Sequence, residues 1–274
     1  MAENIRTLGD AGSSLLTELT RRNKSVFTYE DAAQLYGARD RGLRDLLSTL
    51  VKRHWLHRIE RGKYLILPFE AGRDGEWAEH EFIIGSYLVD PYYIGFRSAL
   101  NYYGYTEQLS RTVFIASTKR KSKSSLDVSG VTYKFVYLSK RKFFGTLEVN
   151  LDGYRIEVSD REKTIVDCLD RLEYCGGVTE VAKALYYANE EIDQAKLANY
   201  ACKNGNRAAI QRLGYLLETL DYGTKTTIRH LRRNISESYA RLDTLAPPKG
   251  RYVERWKVLM NIRENELYDW RALR

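Results

Sequence analysis

The chain has 274 residues, of which 43% are hydrophobic, and its formal net charge at pH 7 is +8. This hydrophobic content is enough to build a core, so the composition excludes a disordered chain and suits two domains or one large one. The sequence has no apolar run near the roughly eighteen residues of a membrane span, which excludes a transmembrane helix.

The first residues, MAENIRTLGD, include no hydrophobic signal segment, which predicts a cytoplasmic protein. The three cysteines and four histidines do not have the spacing of a disulfide framework or of a metal site. We therefore expect reduced thiols, no metal and no cofactor.

Residues 25–68 have the pattern helix, turn, basic helix and short basic hairpin. Thr28 is expected to cap the first helix and Gly37 to end it. The second helix is predicted to begin near Arg39, because apolar residues then recur on one face. These apolar residues are Leu43, Leu46, Leu47, Leu50 and Val51. This order of elements is typical of a winged helix-turn-helix and predicts contact with double-stranded DNA.

The basic residues of this segment are the predicted DNA contacts. Between Arg39 and Lys63 there are eight Lys and Arg residues against three acids, a balance that attracts phosphate. We expect major-groove contacts from Arg39, Arg41 and Arg44, phosphate or minor-groove contacts from Arg58, Arg61 and Lys63, and backbone contacts from Thr28 and Tyr29.

Other interpretations of the same residues stay open. The arginines can form an ordinary solvated helix face, and the fold can serve as a protein docking module. Arg44 can pair with Asp40 one helical turn earlier, an outcome less expected for Arg39 and Arg41.

The acidic, glycine-containing stretch EAGRDGEWAEH, at residues 70–80, is the predicted junction between two domains. We place the boundary near residue 72, which gives a winged helix over residues 1–72 and a larger domain over residues 73–274. Strand-like runs followed by helical runs in the second domain predict an α+β fold for the whole chain.

The periodicity of the second domain predicts helices and strands in a defined order. Helices are expected at 76–88 and 97–103, strands at 113–117, 132–138 and 153–158, helices at 179–189, 193–203, 206–221 and 225–244, and a last strand at 255–262. Ahead of the 179–189 helix, a capping box at residues 159–162 is expected to start another, with Ile165, Val166, Leu169 and Leu172 on its apolar face.

Two basic segments of the second domain form a further candidate surface. They contain Lys119, Arg120, Lys121 and Lys123, and then Lys140, Arg141 and Lys142. Three interpretations remain: solvated loops, a second strip of phosphate contacts, or contacts with an acidic surface on a partner protein.

An acidic cluster raises the alternative of a metal-dependent nuclease. It comprises Asp160, Glu162, Asp167 and Asp170, with Lys163 beside them. Asp160 and Glu162 are expected in the first turn of a helix, where acids favour the helix dipole without catalysis. Asp167 and Asp170 are then expected to face solvent. No nuclease or nucleotidyltransferase motif is complete, so we expect no enzyme.

The chain resembles the AbiEi family along nearly its whole length. The passages that carry the resemblance are WLHRIERGKYLILP, YIGFRSALNYYGYTEQ, VFIASTKRK, IEVSDREKTIVDCLDRLEYCGGVTEVAKAL and RWKVLMNI, in that order. AbiEi proteins are antitoxins and transcriptional regulators of type IV toxin-antitoxin systems that act in abortive infection.

The resemblance implies that the N-terminal domain binds and represses the promoter of its own operon, at an operator expected to contain inverted repeats. It also implies that the C-terminal domain neutralises a separately encoded, nucleotidyltransferase-like toxin, by direct contact or indirectly. The alternative is a winged-helix transcription factor whose second domain senses a ligand or forms a dimer.

Overall fold

The computed structural model describes residues 8–22, 24–67, 81–108, 110–128, 130–151, 153–188, 190–267 and 270. Helices and several sheets make the fold a mixed α+β one, as the sequence predicted. Two compact units divide the chain: unit 1 is drawn from Met1–Leu88, Asp127–Val131 and Asn150–Arg155, and unit 2 from Val89–Leu126, Thr132–Val149 and Ile156–Arg274. The junction predicted at residues 70–80, with its boundary near residue 72, lies outside the described residues.

Unit 1 combines helices with a small antiparallel sheet. Its elements are α1 (Asp10–Arg21), β1 (Val26–Thr28), α2 (Tyr29–Tyr36), α3 (Arg41–Lys52), β2 (Leu56–Glu60), β3 (Lys63–Ile66) and α4 (Glu81–Ser86). The strand order is β1-β3-β2, with Val26 opposite Leu65 and Leu56 opposite Ile66. The strand that follows the β2–β3 turn therefore lies in the middle of the sheet.

The helix pair α2 and α3 is set by its caps. The Thr28 hydroxyl accepts a hydrogen bond from the Asp31 N–H, and the Asp31 carboxylate accepts one from the Thr28 N–H. Gly37 ends α2 with a φ of 83°, a conformation that favours glycine. Asp40 caps α3 by accepting a hydrogen bond from the Leu43 N–H, so this helix begins at Arg41 rather than near Arg39.

The apolar face of α3 anchors that helix in the core of unit 1. Leu43, Leu47 and Leu50 are buried against α1 and α2, as their spacing predicted. Burial of each such side chain contributes about 1.5–3 kcal/mol to the stability of the folded unit. The opposite face, with Arg41 and Arg44, is left exposed.

Unit 2 packs helices on one face of a mixed sheet. Its elements are β4 (Tyr93–Ile94), α5 (Phe96–Tyr102), β5 (Thr112–Ser117), β6 (Ser125–Val128), β7 (Val131–Tyr137), β8 (Thr146–Leu151), β9 (Tyr154–Ser159), α6 (Arg161–Asp170), α7 (Val178–Tyr187), α8 (Gln194–Asn204), α9 (Arg207–Thr219), α10 (Lys225–Arg232), β10 (Ala240–Arg241), β11 (Arg251–Val253) and β12 (Val258–Met260). Residues 127–131 and 150–155, at the connections β6–β7 and β8–β9, belong to unit 1.

The larger sheet has the strand order β6-β7-β5-β4-β9-β8, and β5 runs parallel to β7. Apolar residues of α6, α7, α8 and α9 form the core of unit 2 together with Tyr93, Phe96 and Trp256. A Cβ atom at Gly214 of α9 would lie 2.0 Å from the Trp256 ring, so only glycine allows this close packing. None of the described helices has the length and apolar character needed to cross a membrane.

Three predictions for unit 2 are wrong in detail. The helix predicted at 225–244 ends at Arg232, because Arg207 and Gln211 of α9 donate hydrogen bonds to the carbonyl oxygens of Asn234 and Ser238. The strand predicted at 255–262 shortens to Val258–Met260, after a 3-10 turn that inserts Trp256 into the core.

The cap of α6 also differs from the prediction. Asp160 accepts the hydrogen bond from the Lys163 N–H, whereas Ser159 is the last residue of β9.

Candidate functional site

The predicted DNA contacts of unit 1 lie on two neighbouring features, the start of α3 and the β2–β3 hairpin. Arg41 and Arg44 occupy the first turns of α3 and are exposed, and Arg39 precedes the cap residue Asp40. Arg58 is exposed on β2, and Arg61 is exposed at the turn. The Tyr29 N–H donates to the Gly62 carbonyl oxygen at 2.7 Å, which joins the hairpin turn to the start of α2.

Two of the arginines form ion pairs that the sequence analysis did not expect. Arg39 pairs with Glu30 of α2, and Arg41 pairs with Asp45 at 3.5 Å. Among the described residues Arg44 forms no ion pair, because Asp40 is engaged as the cap of α3. The sequence predicted that Arg44 forms an ion pair more readily than Arg39 or Arg41. This prediction is wrong, because Arg39 and Arg41 are the arginines that form ion pairs.

The remaining predicted contacts of unit 1 differ in how available they are. Lys63 pairs with Glu60 at 2.9 Å and donates to the Tyr87 carbonyl oxygen at 2.6 Å. The Thr28 hydroxyl donates to the Asp31 carboxylate at 2.8 Å, in the cap of α2. The Tyr29 hydroxyl oxygen is buried and has no hydrogen bond within the described part of the chain. Of the predicted DNA contacts of unit 1, the side chains with the fewest hydrogen bonds and ion pairs among the described residues are those of Arg44, Arg58 and Arg61.

In unit 2 the two basic segments leave the same end of the sheet. The strands β5 and β7 are parallel, and their last residues, Ser117 and Tyr137, are paired. The segment 119–123 follows β5, and the segment 140–142 follows β7. The fold therefore brings together two basic segments that are separate in sequence.

Contacts with rings and carbonyl groups fix parts of these segments. The Arg120 guanidinium lies 4.3 Å from the centre of the Tyr137 ring, and the Lys121 ammonium lies 5.1 Å from that of Phe135. Arg141 donates to the Asn204 carbonyl oxygen at 3.3 Å. Lys119, Lys123 and Lys140 are exposed.

Lys142, in contrast, faces inward. Its ammonium binds the carboxylate of Asp170 at 2.6 Å, and the same carboxylate accepts a hydrogen bond from Asn206 at 2.5 Å. Burial alone would raise the pKa of Asp170, but the hydrogen bonds from Lys142 and Asn206 outweigh it and hold the pKa below its usual value.

The expectation that Asp167 and Asp170 face solvent is wrong. The Asp167 side chain is 1% exposed, pairs with the fully buried Lys163 and accepts a hydrogen bond from the Tyr93 hydroxyl at 2.7 Å. Burial raises the pKa of Asp167 despite its pairing with Lys163. The Asp170 side chain is 3% exposed and is also largely removed from solvent. A lysine binds each of these acids, which makes their burial possible.

The other two acids of the cluster are bound by one shared lysine. Lys196 of α8 binds Asp160 at 3.1 Å and Glu162 at 2.7 Å. Each of the four carboxylates proposed for a nuclease is thus engaged by a lysine side chain, in an arrangement that ties α6 to α8 and to segment 140–142. Across the part of the chain that the structure describes, no three His, Cys, Asp or Glu side chains are grouped to hold a metal ion.

Sequence reasoning missed the acids that accompany the arginines of unit 1. The pair of Arg41 with Asp45 has the spacing of one helical turn and could have been found from the sequence. Glu30 lies on another helix, so only the turn between α2 and α3 brings it to Arg39. No sequence signal identifies that pair.

Comparison with known proteins bears on unit 2. Residues 93–219 match a family model described as the AbiEi antitoxin C-terminal domain. No curated protein matches the chain. Among solved structures, the chain is similar to the crystal structure of the RV2827C protein from Mycobacterium tuberculosis, with a TM-score of 0.68, 15% sequence identity and coverage of 94% of each chain. This likeness concerns the fold. The family match identifies residues 93–219 as an AbiEi antitoxin C-terminal domain, so the chain carries a domain of the family that its sequence resembles.

Proposed function

We propose that the chain is a type IV antitoxin with two activities. Its N-terminal winged helix-turn-helix binds double-stranded DNA at the operator of its own operon and represses it. Its C-terminal domain neutralises a separately encoded, nucleotidyltransferase-like toxin. The antitoxin assignment rests on the AbiEi domain at residues 93–219.

One observation supports the DNA-binding proposal above the others. In chain order, unit 1 has a helix, a strand, two helices joined by a tight turn, and an antiparallel hairpin whose second strand lies between the other two. This arrangement supports the assignment of a winged helix, in which we expect the start of the second paired helix to enter the major groove and the hairpin to contact the backbone. Arg44, Arg58 and Arg61 are exposed on these two features.

The test of the DNA-binding proposal is a gel shift on the DNA upstream of the gene, beside a scrambled duplex of equal length, at about 150 mM salt. We expect selective retention of the upstream duplex. If the interface neutralises about six phosphates, the slope of log affinity against log salt is about −5. Equal retention of both duplexes would contradict the proposal and favour a docking module.

The two activities are separated by substitution. The triple variant Arg39→Ala, Arg41→Ala and Arg61→Ala should lose operator binding and keep protection of growth against the toxin. The matched control Arg21→Ala, Arg22→Ala and Arg263→Ala removes three exposed charges that belong neither to α3 nor to the β2–β3 hairpin. Loss of growth protection in the first variant alone would contradict the division of labour between the two domains.

Substitution is preferable to truncation for this test. Ser25 and Tyr154 are hydrogen-bonded through their side chains, and both belong to unit 1. Deletion of the N-terminal segment would remove the hydrogen-bond partner of Tyr154 and disturb more than the proposed DNA contacts.

For the two basic segments of unit 2, we propose contact with phosphate or with an acidic surface on the toxin. The variant Lys119→Ala, Lys123→Ala and Lys140→Ala separates these possibilities. A shallower salt slope with intact growth protection indicates phosphate contact, and weaker protection with an unchanged slope indicates toxin contact. If neither measurement changes, the segments are solvated loops.

A further inference from the structure

We infer that Glu30 is a positioning residue for Arg39 and contributes to the sequence specificity of DNA binding. The inference rests on the proposed DNA-binding function and adds a residue to it. It starts from the ion pair between Nη2 of Arg39 and Oε2 of Glu30, which links the start of α2 to the residue before the cap of α3.

The pair is accessible to a ligand. The side chain of Arg39 is 67% exposed and that of Glu30 is 55% exposed. One nitrogen of the guanidinium is used, and a guanidinium has several N–H donors in a planar fork. Arg39 can therefore keep its contact with Glu30 and present the other donors to a guanine edge, which accepts through O6 and N7.

Arg39 is expected to bind a phosphate group less favourably than a guanine edge. To bind phosphate closely, the guanidinium has to leave Glu30 or bring this carboxylate towards the negatively charged backbone. The first route costs the ion pair and the second adds repulsion between Glu30 and the backbone, and neither cost arises when the guanidinium meets a base through its other donors. The Glu30 carboxylate therefore weakens binding to non-specific DNA more than binding to the operator. As a result, the ratio of operator affinity to non-specific affinity rises.

The pair also restricts Arg39 before DNA arrives. A free arginine side chain loses rotamer entropy when it is fixed. Glu30 fixes part of this freedom in the unbound protein, so less is lost in the complex. Arg41 is restrained in the same way but less tightly, because its contact with Asp45 is 3.5 Å long and its side chain is 93% exposed.

The experiment measures the affinity of the full chain for the upstream duplex and for the scrambled duplex, by fluorescence anisotropy over a range of salt concentrations. The variants are Glu30→Gln, Asp45→Asn and Glu18→Gln. Glu18 is the matched control, because it pairs with Arg21 and Arg22 on α1, in the same unit and with the same change of charge.

We expect Glu30→Gln to tighten binding to the scrambled duplex about 1.4-fold to fivefold relative to Glu18→Gln, the range set by the strength of an exposed ion pair. Binding to the upstream duplex should tighten less than binding to the scrambled duplex, because the variant also loses the restraint that Glu30 places on Arg39. The salt slope on the scrambled duplex should steepen by about 0.9, because the released Arg39 neutralises one more phosphate. Asp45→Asn should change the ratio less.

A second readout separates positioning from a general charge effect. In the background of Arg39→Ala, the substitution Glu30→Gln should leave the ratio of the two affinities unchanged, whereas a general charge effect would persist. Equal ratios for Glu30→Gln and Glu18→Gln would overturn the inference alone. Equal affinities of the unaltered chain for both duplexes would overturn the proposed DNA-binding function and this inference with it.

Discussion

The pair Arg39–Glu30 in unit 1 and the pair Lys163–Asp167 in unit 2 join the same kinds of charge in different surroundings. The first is mostly exposed, at 67% and 55%, and the second is buried, at 0% and 1%. Water already solvates the exposed ions, so their separation costs little and a ligand can take the place of either partner. The buried ions have lost their hydration, and each depends on the other.

This difference separates residues that can exchange partners from residues that hold the fold. The exposed pairs Arg39–Glu30 and Arg41–Asp45 lie beside the start of α3, where the proposed function requires arginines that meet DNA. The buried pair Lys163–Asp167 lies within α6, and the hydrogen bond from the Tyr93 hydroxyl to Asp167 joins this helix to β4. Charge alone does not distinguish the two sets in the sequence, because both are runs of Lys, Arg, Asp and Glu.

The largest effect is expected from breaking the buried pair. Lys163→Ala should lower the free energy of unfolding by about 3–5 kcal/mol, because it leaves the Asp167 carboxylate buried without its cation. The measurement is a urea titration followed by circular dichroism. The double variant Lys163→Met with Asp167→Leu should recover most of this loss, since neither charge is then buried.

The proposed difference between the two pairs is contradicted if Lys163→Ala is no less stable than Glu30→Gln. It is also contradicted if the double variant loses as much stability as the single one. Either result would mean that burial does not set the energetic role of these pairs.

The parts of the fold that the sequence predicts are those whose pattern is local. The α3 helix was predicted because Leu43, Leu47 and Leu50 repeat at helical spacing, and all three are buried. The sequence does not predict the end of α10. Hydrogen bonds from α9 hold the carbonyl oxygens beyond Arg232, and no residue close in sequence indicates these bonds.

The candidate site divides in the same way. The positions of Arg44 and Arg61 follow from local signals, the helix periodicity and the glycine turn. The burial of Asp167 does not, because a carboxylate on a helix is usually solvated. Its cation, Lys163, lies one turn earlier on the same helix, but the Tyr93 hydroxyl that donates to Asp167 comes from β4. The partner of Arg39 is equally nonlocal.

A smaller effect, which depends on pH, is expected from Asp170. Asp170→Asn removes a charge that accepts hydrogen bonds from Lys142 and Asn206, so it should cost about 1–3 kcal/mol at pH 7. The pKa of Asp170 in the folded protein lies below its ordinary value of 3.8. Its contribution is therefore fully present above pH 3.8 and is lost as the pH falls through the lower folded value.

Urea titrations of both proteins between pH 7 and about pH 3 test this expectation. The difference in stability between the unaltered chain and Asp170→Asn should be constant near neutral pH and should shrink in acid. A difference that grows in acid would show that protonation favours the folded state at this site. That result would mean that burial outweighs the hydrogen bonds from Lys142 and Asn206 at this carboxylate.

The smallest effect on stability is expected from the exposed pair Arg39–Glu30. Glu30→Gln and Arg39→Ala should each change the free energy of unfolding by less than about 1 kcal/mol, because both side chains remain solvated when the partner is removed. The coupling energy from a double-mutant cycle of the two substitutions should be about 0.2–1 kcal/mol and should decrease in 1 M salt. A coupling above about 2 kcal/mol would make Arg39–Glu30 a structural pair. Arg39 would then be too costly to release, and its exchange of partners on DNA would no longer explain why an acid is placed beside it.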